Sequence, residues 1–100
     1  MGGATRTWVL SYDVADDRRR TKLARFLESR GHRVQYSVFE LLATDDDLDA
    51  LLTEATKSPR FDPATDSLRC YALCAACQER TRIRGTTAAA LLQPGRPAVL

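Results

Sequence analysis

The chain has 100 residues, a hydrophobic fraction of 44% and a formal net charge of +2. This length is typical of a single domain with a modest core, and no apolar run approaches the roughly 20 residues of a membrane span. The opening residues carry no apolar signal-peptide core, so we expect a protein that is cytoplasmic and not bound to a membrane.

The first predicted element is a strand over residues 6–13. Its larger apolar residues alternate onto one face, which carries Trp8, Leu10 and Tyr12. The other face carries Val9 and ends on Asp13, because successive side chains of a strand point to opposite sides. The pattern therefore places an acidic residue at the carboxyl end of the strand.

A helix over residues 17–30 follows, with an apolar stripe formed by Leu23, Phe26 and Leu27. Asp16 or Asp17 can cap its first turn, where a negative charge also complements the positive end of the helix. Gly31 is a natural stop just past its last turn. The first half of this helix is rich in basic residues, of which Arg offers a planar fork that grips phosphate.

Residues 33–43 are rich in β-branched and aromatic types, and their length suits one bent strand or two short ones. A second helix begins at Thr44, with Asp47 as its capping partner, and ends at Ser58-Pro59. A loop and a strand over residues 68–75 follow. This order predicts an α+β protein with the ferredoxin-like (βαββαβ) arrangement, an antiparallel sheet with both helices on one face.

Residues 1–77 are predicted to form this ferredoxin-like domain. Residues 78–100 would be a C-terminal tail, in which residues 83–87 can form a short strand for dimer or partner contacts. Cys74 and Cys77 form a lone C-x-x-C motif, for which the sequence predicts no strand-then-helix setting of the redox kind. We interpret these thiols and Cys70 as buried or incidental, since a structural zinc site needs four ligands.

Two segments of the sequence point to one family. They are Tyr12-Asp13-Val14-Ala15-Asp16-Asp17 and Arg33-Val34-Gln35-Tyr36-Ser37-Val38-Phe39-Glu40, with Arg19, Arg20, Lys22, Leu23, Leu27 and Gly31 between them. With these residues the chain resembles the CRISPR-associated protein two family, the small partner of the spacer-acquisition integrase. The resemblance covers about residues 7–77.

The resemblance implies a ferredoxin-like fold, a symmetric homodimer and an integrase subunit as partner. Some members are metal-dependent endonucleases that act on RNA or DNA, and others are non-catalytic adaptors that bridge the integrase and hold duplex DNA. Both readings stay open for this chain. A third reading is a toxin-type ribonuclease of a related fold, against which residues 35–39 argue.

Asp13 is the candidate metal ligand and catalytic residue, with Mg²⁺ or Mn²⁺ as the cofactor. Magnesium can be held by one or two carboxylates together with a substrate phosphate, and a two-fold dimer could supply a second copy of Asp13. The resemblance adds Arg20, Arg33 and Phe39 to the catalytic site or its approach. The candidate nucleic-acid-binding residues are Arg18, Arg19, Arg20, Lys22 and Arg33.

Each of these residues also has a simpler structural reading, which stays open at the level of sequence. Asp13 could cap a turn or a helix amide. The basic residues from Arg18 to Arg20 could be a solvated helix face, and Phe39 could be an ordinary core ring.

Overall fold

The computed structural model describes residues 3–85, which contain four strands and three helices. In chain order the elements are β1 (Arg6–Asp13), α1 (Asp17–Glu28), β2 (His32–Gln35), β3 (Val38–Ala43), α2 (Asp45–Ala55), β4 (Ser67–Leu73) and α3 (Ala75–Arg80). The strands form one sheet in the order β2-β3-β1-β4, and all neighbours are antiparallel. The predicted ferredoxin-like arrangement is confirmed.

The core lies between one face of the sheet and the helices α1 and α2. Register places Leu10 of β1 beside Phe39 of β3 and Cys70 of β4. Leu10 and Phe39 are fully buried in a single cluster with Leu27 of α1 and Leu51 of α2. Because both helices contribute to this one cluster, they cover the same face of the sheet, and α1 and α2 leave the opposite face uncovered.

Both long helices begin with the predicted capping residues. The Asp16 carboxylate accepts a hydrogen bond from the Arg19 backbone N–H at 2.9 Å, and the Thr44 hydroxyl accepts one from the Asp47 N–H at 3.1 Å. Each bond satisfies an amide that the first turn of a helix leaves without a partner. Asp16, three residues after Asp13, is therefore occupied at the start of α1.

Gly31 is needed for a reason other than the predicted helix stop. Helix α1 ends at Glu28, and Gly31 does not adopt a positive φ. A Cβ atom at this position would instead lie 2.8 Å from the Glu40 carbonyl oxygen and 3.0 Å from the Leu41 Cβ of β3. The absence of a side chain lets the connection from α1 to β2 run against the neighbouring strand.

We expect Gly31→Ala to destabilise the protein by about 1–3 kcal/mol, the usual range for overpacking. The added methyl group meets backbone, which cannot rotate away as a side chain would. Chemical denaturation followed by circular dichroism would measure the change. An unchanged unfolding midpoint would mean that β3 moves away from the added methyl group without a loss of stability.

The structure differs from the sequence prediction after α2. β4 spans residues 67–73 instead of 68–75, and Cys74 caps α3, a helix that the sequence analysis did not predict. The prediction that the C-x-x-C motif lacks a strand-then-helix setting is therefore wrong. Residues 83–85 form no strand, and the rest of the predicted short strand, residues 86–87, lies outside the described residues.

Within residues 3–85, no helix combines the length and the apolar character that crossing a membrane requires. The proposed boundary at residue 77 falls inside α3, so the tail as predicted from the sequence begins within a helix.

Candidate functional site

Asp13 is exposed at the carboxyl end of β1, where it pairs with Ser67 of β4. By register it shares a face with Val9 and Ser11, away from α1 and α2. No residue in the described range 3–85 forms a hydrogen bond or ion pair with its carboxylate. It is therefore not the turn or helix cap of the simpler reading, and both oxygens are available to a ligand.

Arg20 lies against the segment that follows Asp13. Its Nη1 donates hydrogen bonds to the carbonyl oxygens of Val14 at 3.0 Å and Ala15 at 3.2 Å, and its Nη2 pairs with the Asp17 carboxylate. These contacts fix the guanidinium beside the end of β1. The Asp17 carboxylate is therefore paired with Arg20, and the Asp16 carboxylate is bonded within the helix cap.

Arg33 crosses from β2 to the turn that joins β2 and β3. Its Nε and Nη2 donate to the Tyr36 carbonyl oxygen at 3.1 and 2.7 Å. Its guanidinium carbon lies 5.7 Å from the centre of the Phe39 ring. Phe39 is fully buried and stacks on Tyr12 with 6.3 Å between ring centres. Phe39 thus supports Arg33 from the core, since its own ring has no surface to offer a ligand.

The two arginines meet at a surface cavity of about 350 Å³ between α1 and the β2–β3 turn. Its lining includes Arg20, Arg25, Glu28, Arg33 and Tyr36. Asp13 does not line this cavity. The structure therefore brings the predicted Arg20 and Arg33 together at this cavity, whereas Asp13 belongs by register to the other face of the sheet.

Arg19 is engaged within the fold. Its Nε and Nη2 donate to the two carboxylate oxygens of Asp66 at 2.9 and 3.1 Å, and Nη2 also reaches the Thr65 hydroxyl at 3.3 Å. The Asp66 side chain has no exposed surface (0%). This two-pronged bond ties α1 to the loop before β4, so Arg19 has fewer donors left for a phosphate than Arg18, whose side chain makes no bond within residues 3–85.

The Arg19 guanidinium, together with the Asp62 N–H and the Thr65 hydroxyl, holds the pKa of Asp66 at about 2, below its usual 3.8. Because the folded-state pKa is depressed, the stabilisation is present above about pH 4 and is lost as the pH falls towards about pH 2. We expect Asp66→Asn to unfold at a lower denaturant concentration than the wild type at neutral pH. Denaturation across this pH range should show the difference shrinking on acidification; a constant difference would contradict the assignment.

The basic stripe consists of Arg18, Lys22 and Arg25, which are exposed on α1. Positions separated by four and three residues share one face of a helix. Their side chains form no hydrogen bond or ion pair with any residue in the described part of the chain. Sequence reasoning included the first two and missed Arg25, although its helical spacing from Lys22 was visible. It also gave no role to Tyr36.

One copy of the chain supplies only some of the ligands that a metal site needs. Within residues 3–85 there is no group of three or more His, Cys, Asp or Glu side chains that could hold a metal ion. Asp13 alone supplies one free carboxylate, which suits Mg²⁺ only if a phosphate, waters and a second carboxylate complete the oxygen shell.

The family model for the CRISPR associated protein Cas2 matches residues 6–81. The chain belongs to the Cas2 family. A relative from Chloroflexus aurantiacus, the CRISPR-associated endoribonuclease Cas2 3, is 43% identical over 77 residues, which cover 77% of this chain and 81% of the relative. The resemblance drawn from residues 12–17 and 33–40 is thus confirmed.

Two solved structures extend the comparison. Streptococcus pyogenes Cas2 superposes with a TM-score of 0.66 and is 30% identical, with 79% of this chain and 99% of that chain covered. A chain of a partial Cas6-RT-Cas1–Cas2 complex superposes with a TM-score of 0.65 and is 26% identical, with 95% and 99% covered. This Cas2-family chain therefore has the fold of a protein found in an assembly with Cas1.

Proposed function

We propose that this chain acts in CRISPR spacer acquisition as a homodimeric, metal-dependent endonuclease of RNA or DNA. The observation that carries the proposal is the Asp13 carboxylate, which is exposed at a strand end and free of partners within residues 3–85. Relatives named as endoribonuclease and endonuclease support the reaction class. The family match also argues against the toxin-type ribonuclease.

The sheet face opposite α1 and α2 is the surface that we propose for the homodimer. Leu42 and Tyr71 are exposed there, and register places Val9 and Leu73 on the same side. A two-fold axis through this face would bury these apolar groups and pair each residue with its own copy. If β1 lies near the axis, two copies of Asp13 approach each other and supply the two carboxylates.

In the proposed mechanism, the paired Asp13 carboxylates would hold a magnesium ion, which when bound would supply a water of lowered pKa and polarise the substrate phosphate. Arg20 and Arg33 lie outside this centre, and their remaining N–H groups bind flanking phosphates and orient the strand. Phe39 acts as a positioning residue, because its ring fixes the Arg33 guanidinium from below.

A non-catalytic adaptor is the second candidate, and the basic stripe on α1 favours it. Three exposed cations without partners among residues 3–85 suit sequence-independent contacts with a duplex backbone. The similarity to a chain from a Cas1–Cas2 complex supports an integrase partner. The two functions are compatible, since the first depends on Asp13 and the second on the stripe.

Cleavage assays test the enzymatic part. Purified protein would be incubated with labelled single-stranded RNA and duplex DNA, with Mg²⁺, with Mn²⁺ or with a chelator, and duplex binding would be recorded in parallel. Cutting that requires the metal supports the endonuclease. Salt-sensitive duplex binding without any cutting would leave the adaptor as the function.

We expect Leu42→Asp to convert the dimer into a monomer, because a carboxylate would be buried without a partner in the apolar interface. Size-exclusion chromatography with light scattering would measure the mass, and circular dichroism would show whether the monomer is folded. The matched control is Leu52→Asp on α2, which would disturb the helix side of the sheet instead. A Leu42→Asp variant that remains dimeric would place the interface elsewhere.

A further inference from the structure

Tyr36 is unusually exposed for an aromatic residue, with 89% of its surface open to solvent. It lies in the turn between β2 and β3. Aromatic side chains normally contribute through burial, often with the polar end bonded. A ring held in water by a rigid turn therefore indicates a partner that covers it.

The backbone beneath this ring is fixed by several contacts. The Tyr36 carbonyl oxygen accepts hydrogen bonds from the Tyr12 hydroxyl at 3.0 Å and from two nitrogens of Arg33 at 3.1 and 2.7 Å. The neighbouring Ser37 carbonyl accepts the Tyr12 N–H at 3.1 Å. The turn is thus ordered before any ligand arrives, which reduces the entropic cost of binding.

Charged side chains line the cavity beside the ring, among them Glu28, whose carboxylate lies 3.4 Å from the Arg33 Nη1. The Arg33 guanidinium carbon lies 5.6 Å from the Tyr36 ring centre. Arg20 and Arg25 line the same cavity of about 350 Å³ as Tyr36. The Arg25 side chain has no hydrogen bond or ion pair within residues 3–85, so all its N–H groups can donate to a phosphate.

We propose that Tyr36 is a stacking platform for one unpaired base and that Arg25 and Arg33 bind the adjacent phosphate, which makes the cavity a subsite for single-stranded nucleic acid. An aromatic face beside cations is how proteins bind single strands without reading sequence. Bases inside a duplex are already stacked and cannot reach the ring. The subsite rests on the nucleic-acid function proposed above and adds a preference for unpaired substrate.

The test compares the dimeric wild type with Tyr36→Ala and Tyr36→Phe. A fluorescent single-stranded RNA and a duplex of the same sequence would be titrated with each protein. Stacking of one base predicts a loss of about 5- to 150-fold in single-strand affinity for Tyr36→Ala. Tyr36→Phe should bind as the wild type does, and duplex affinity should not change. In an RNA that carries 2-aminopurine, the fluorescence of this base should be quenched when the wild type binds and should not be quenched when Tyr36→Ala binds.

Other results would overturn the subsite. Equal loss of single-strand and duplex affinity, or a change of oligomeric mass, would make Tyr36 a structural or interface residue. Unchanged single-strand affinity in Tyr36→Ala, with wild-type binding intact, would refute the subsite while leaving the proposed function standing. If the wild type binds neither ligand, the proposed function and the subsite both fail.

The C-x-x-C motif carries a second, independent inference. Cys74 and Cys77 are both exposed at the junction of β4 and α3, and their Sγ atoms lie 3.3 Å apart. The Cys77 N–H donates to the Cys74 Sγ at 3.4 Å, and this bond together with the neighbouring thiol lowers the pKa of Cys74. Burial raises the pKa of the third thiol, Cys70, to about 11, so it is far less reactive.

We infer that Cys74 and Cys77 are a reversible dithiol–disulfide site that small-molecule disulfides such as glutathione disulfide oxidise. The Cys74 thiolate attacks one sulfur of the oxidant and expels one glutathione thiolate, which takes up the proton that Cys74 released. The Cys77 thiolate then attacks the Cys74 sulfur of the mixed disulfide and expels the second glutathione thiolate, which takes up the second proton. The product is one intramolecular disulfide and two reduced glutathione molecules.

The test equilibrates the reduced protein with mixtures of reduced and oxidised glutathione, traps free thiols by alkylation under denaturing conditions and maps them by mass spectrometry. We expect Cys74 and Cys77 to lose alkylation together while Cys70 keeps it, and Cys77→Ser to accumulate the mixed disulfide at Cys74. Three free thiols in excess oxidised glutathione, or a bond that includes Cys70, would overturn the inference.

Discussion

Asp13→Asn is expected to lower metal-dependent cleavage by at least about 100-fold while leaving duplex binding and the dimer intact. The amide keeps the shape of the side chain but removes the negative charge that would hold a divalent ion. In a two-fold site the substitution removes both carboxylates at once, because each protomer contributes the same residue. Asp13 makes no side-chain bond within residues 3–85, so the fold should not depend on it.

Single-turnover cleavage of labelled RNA and DNA across a magnesium titration would measure this effect. Asp49→Asn is a matched control, since Asp49 is an exposed acid on α2. Thermal unfolding and light scattering would show that both variants fold and dimerise. Equal cutting by the wild type and Asp13→Asn would assign the activity to a contaminant, and then the adaptor reading would stand alone.

Replacing the basic stripe, Arg18, Lys22 and Arg25, with Ala is expected to weaken duplex binding by more than about 100-fold. A hydrogen bond to a charged group contributes roughly 1.5–3 kcal/mol, so each lost contact costs about tenfold in affinity. Each cation that neutralises a phosphate also releases counterions. The slope of log affinity against log salt should therefore become shallower by about 2.7 for three lost contacts.

Fluorescence anisotropy over a range of salt concentrations would measure both quantities. A control with the same composition replaces Arg6, Lys57 and Arg84, which lie on other parts of the chain. Arg6 pairs with Asp45 and Lys57 with Glu54. Equal losses in the two triple variants would mean that only the net charge matters. An unchanged salt slope in the stripe variant would place the duplex on another surface.

The Asp13→Asn and stripe variants together separate the two proposed functions. Suppose that Asp13→Asn loses cutting but keeps duplex binding, and that the stripe variant loses duplex binding. This result would describe an endonuclease whose duplex contacts lie away from its metal centre. Such a division agrees with the register of the sheet, which puts Asp13 on the face opposite the one that α1 covers.

Much of the fold was predictable because local patterns and long-range packing agree. The alternation of apolar and polar residues predicted β1, and the helical spacing of apolar residues predicted α1. The capping roles of Asp16 and Thr44 were predicted from the residues that follow them. The short helix after β4 escaped prediction, because six residues without a buried side chain leave no periodic signal. Gly31 was predicted only as the stop of α1, and its close approach to β3, which joins residues nine and ten positions apart, was not predicted.

The sequence by itself determined the family, the order of the elements from β1 to β4, and the place of Asp13 at the end of a strand. These features depend on residue type and spacing along the chain. Only the tertiary structure decided which basic residues are free. Arg19 and Arg18 are adjacent and chemically identical, yet Arg19 is bonded to Asp66, 47 residues away, while Arg18 faces solvent. Availability for a ligand depends on what the rest of the fold places beside each side chain, and spacing along the chain does not contain that information.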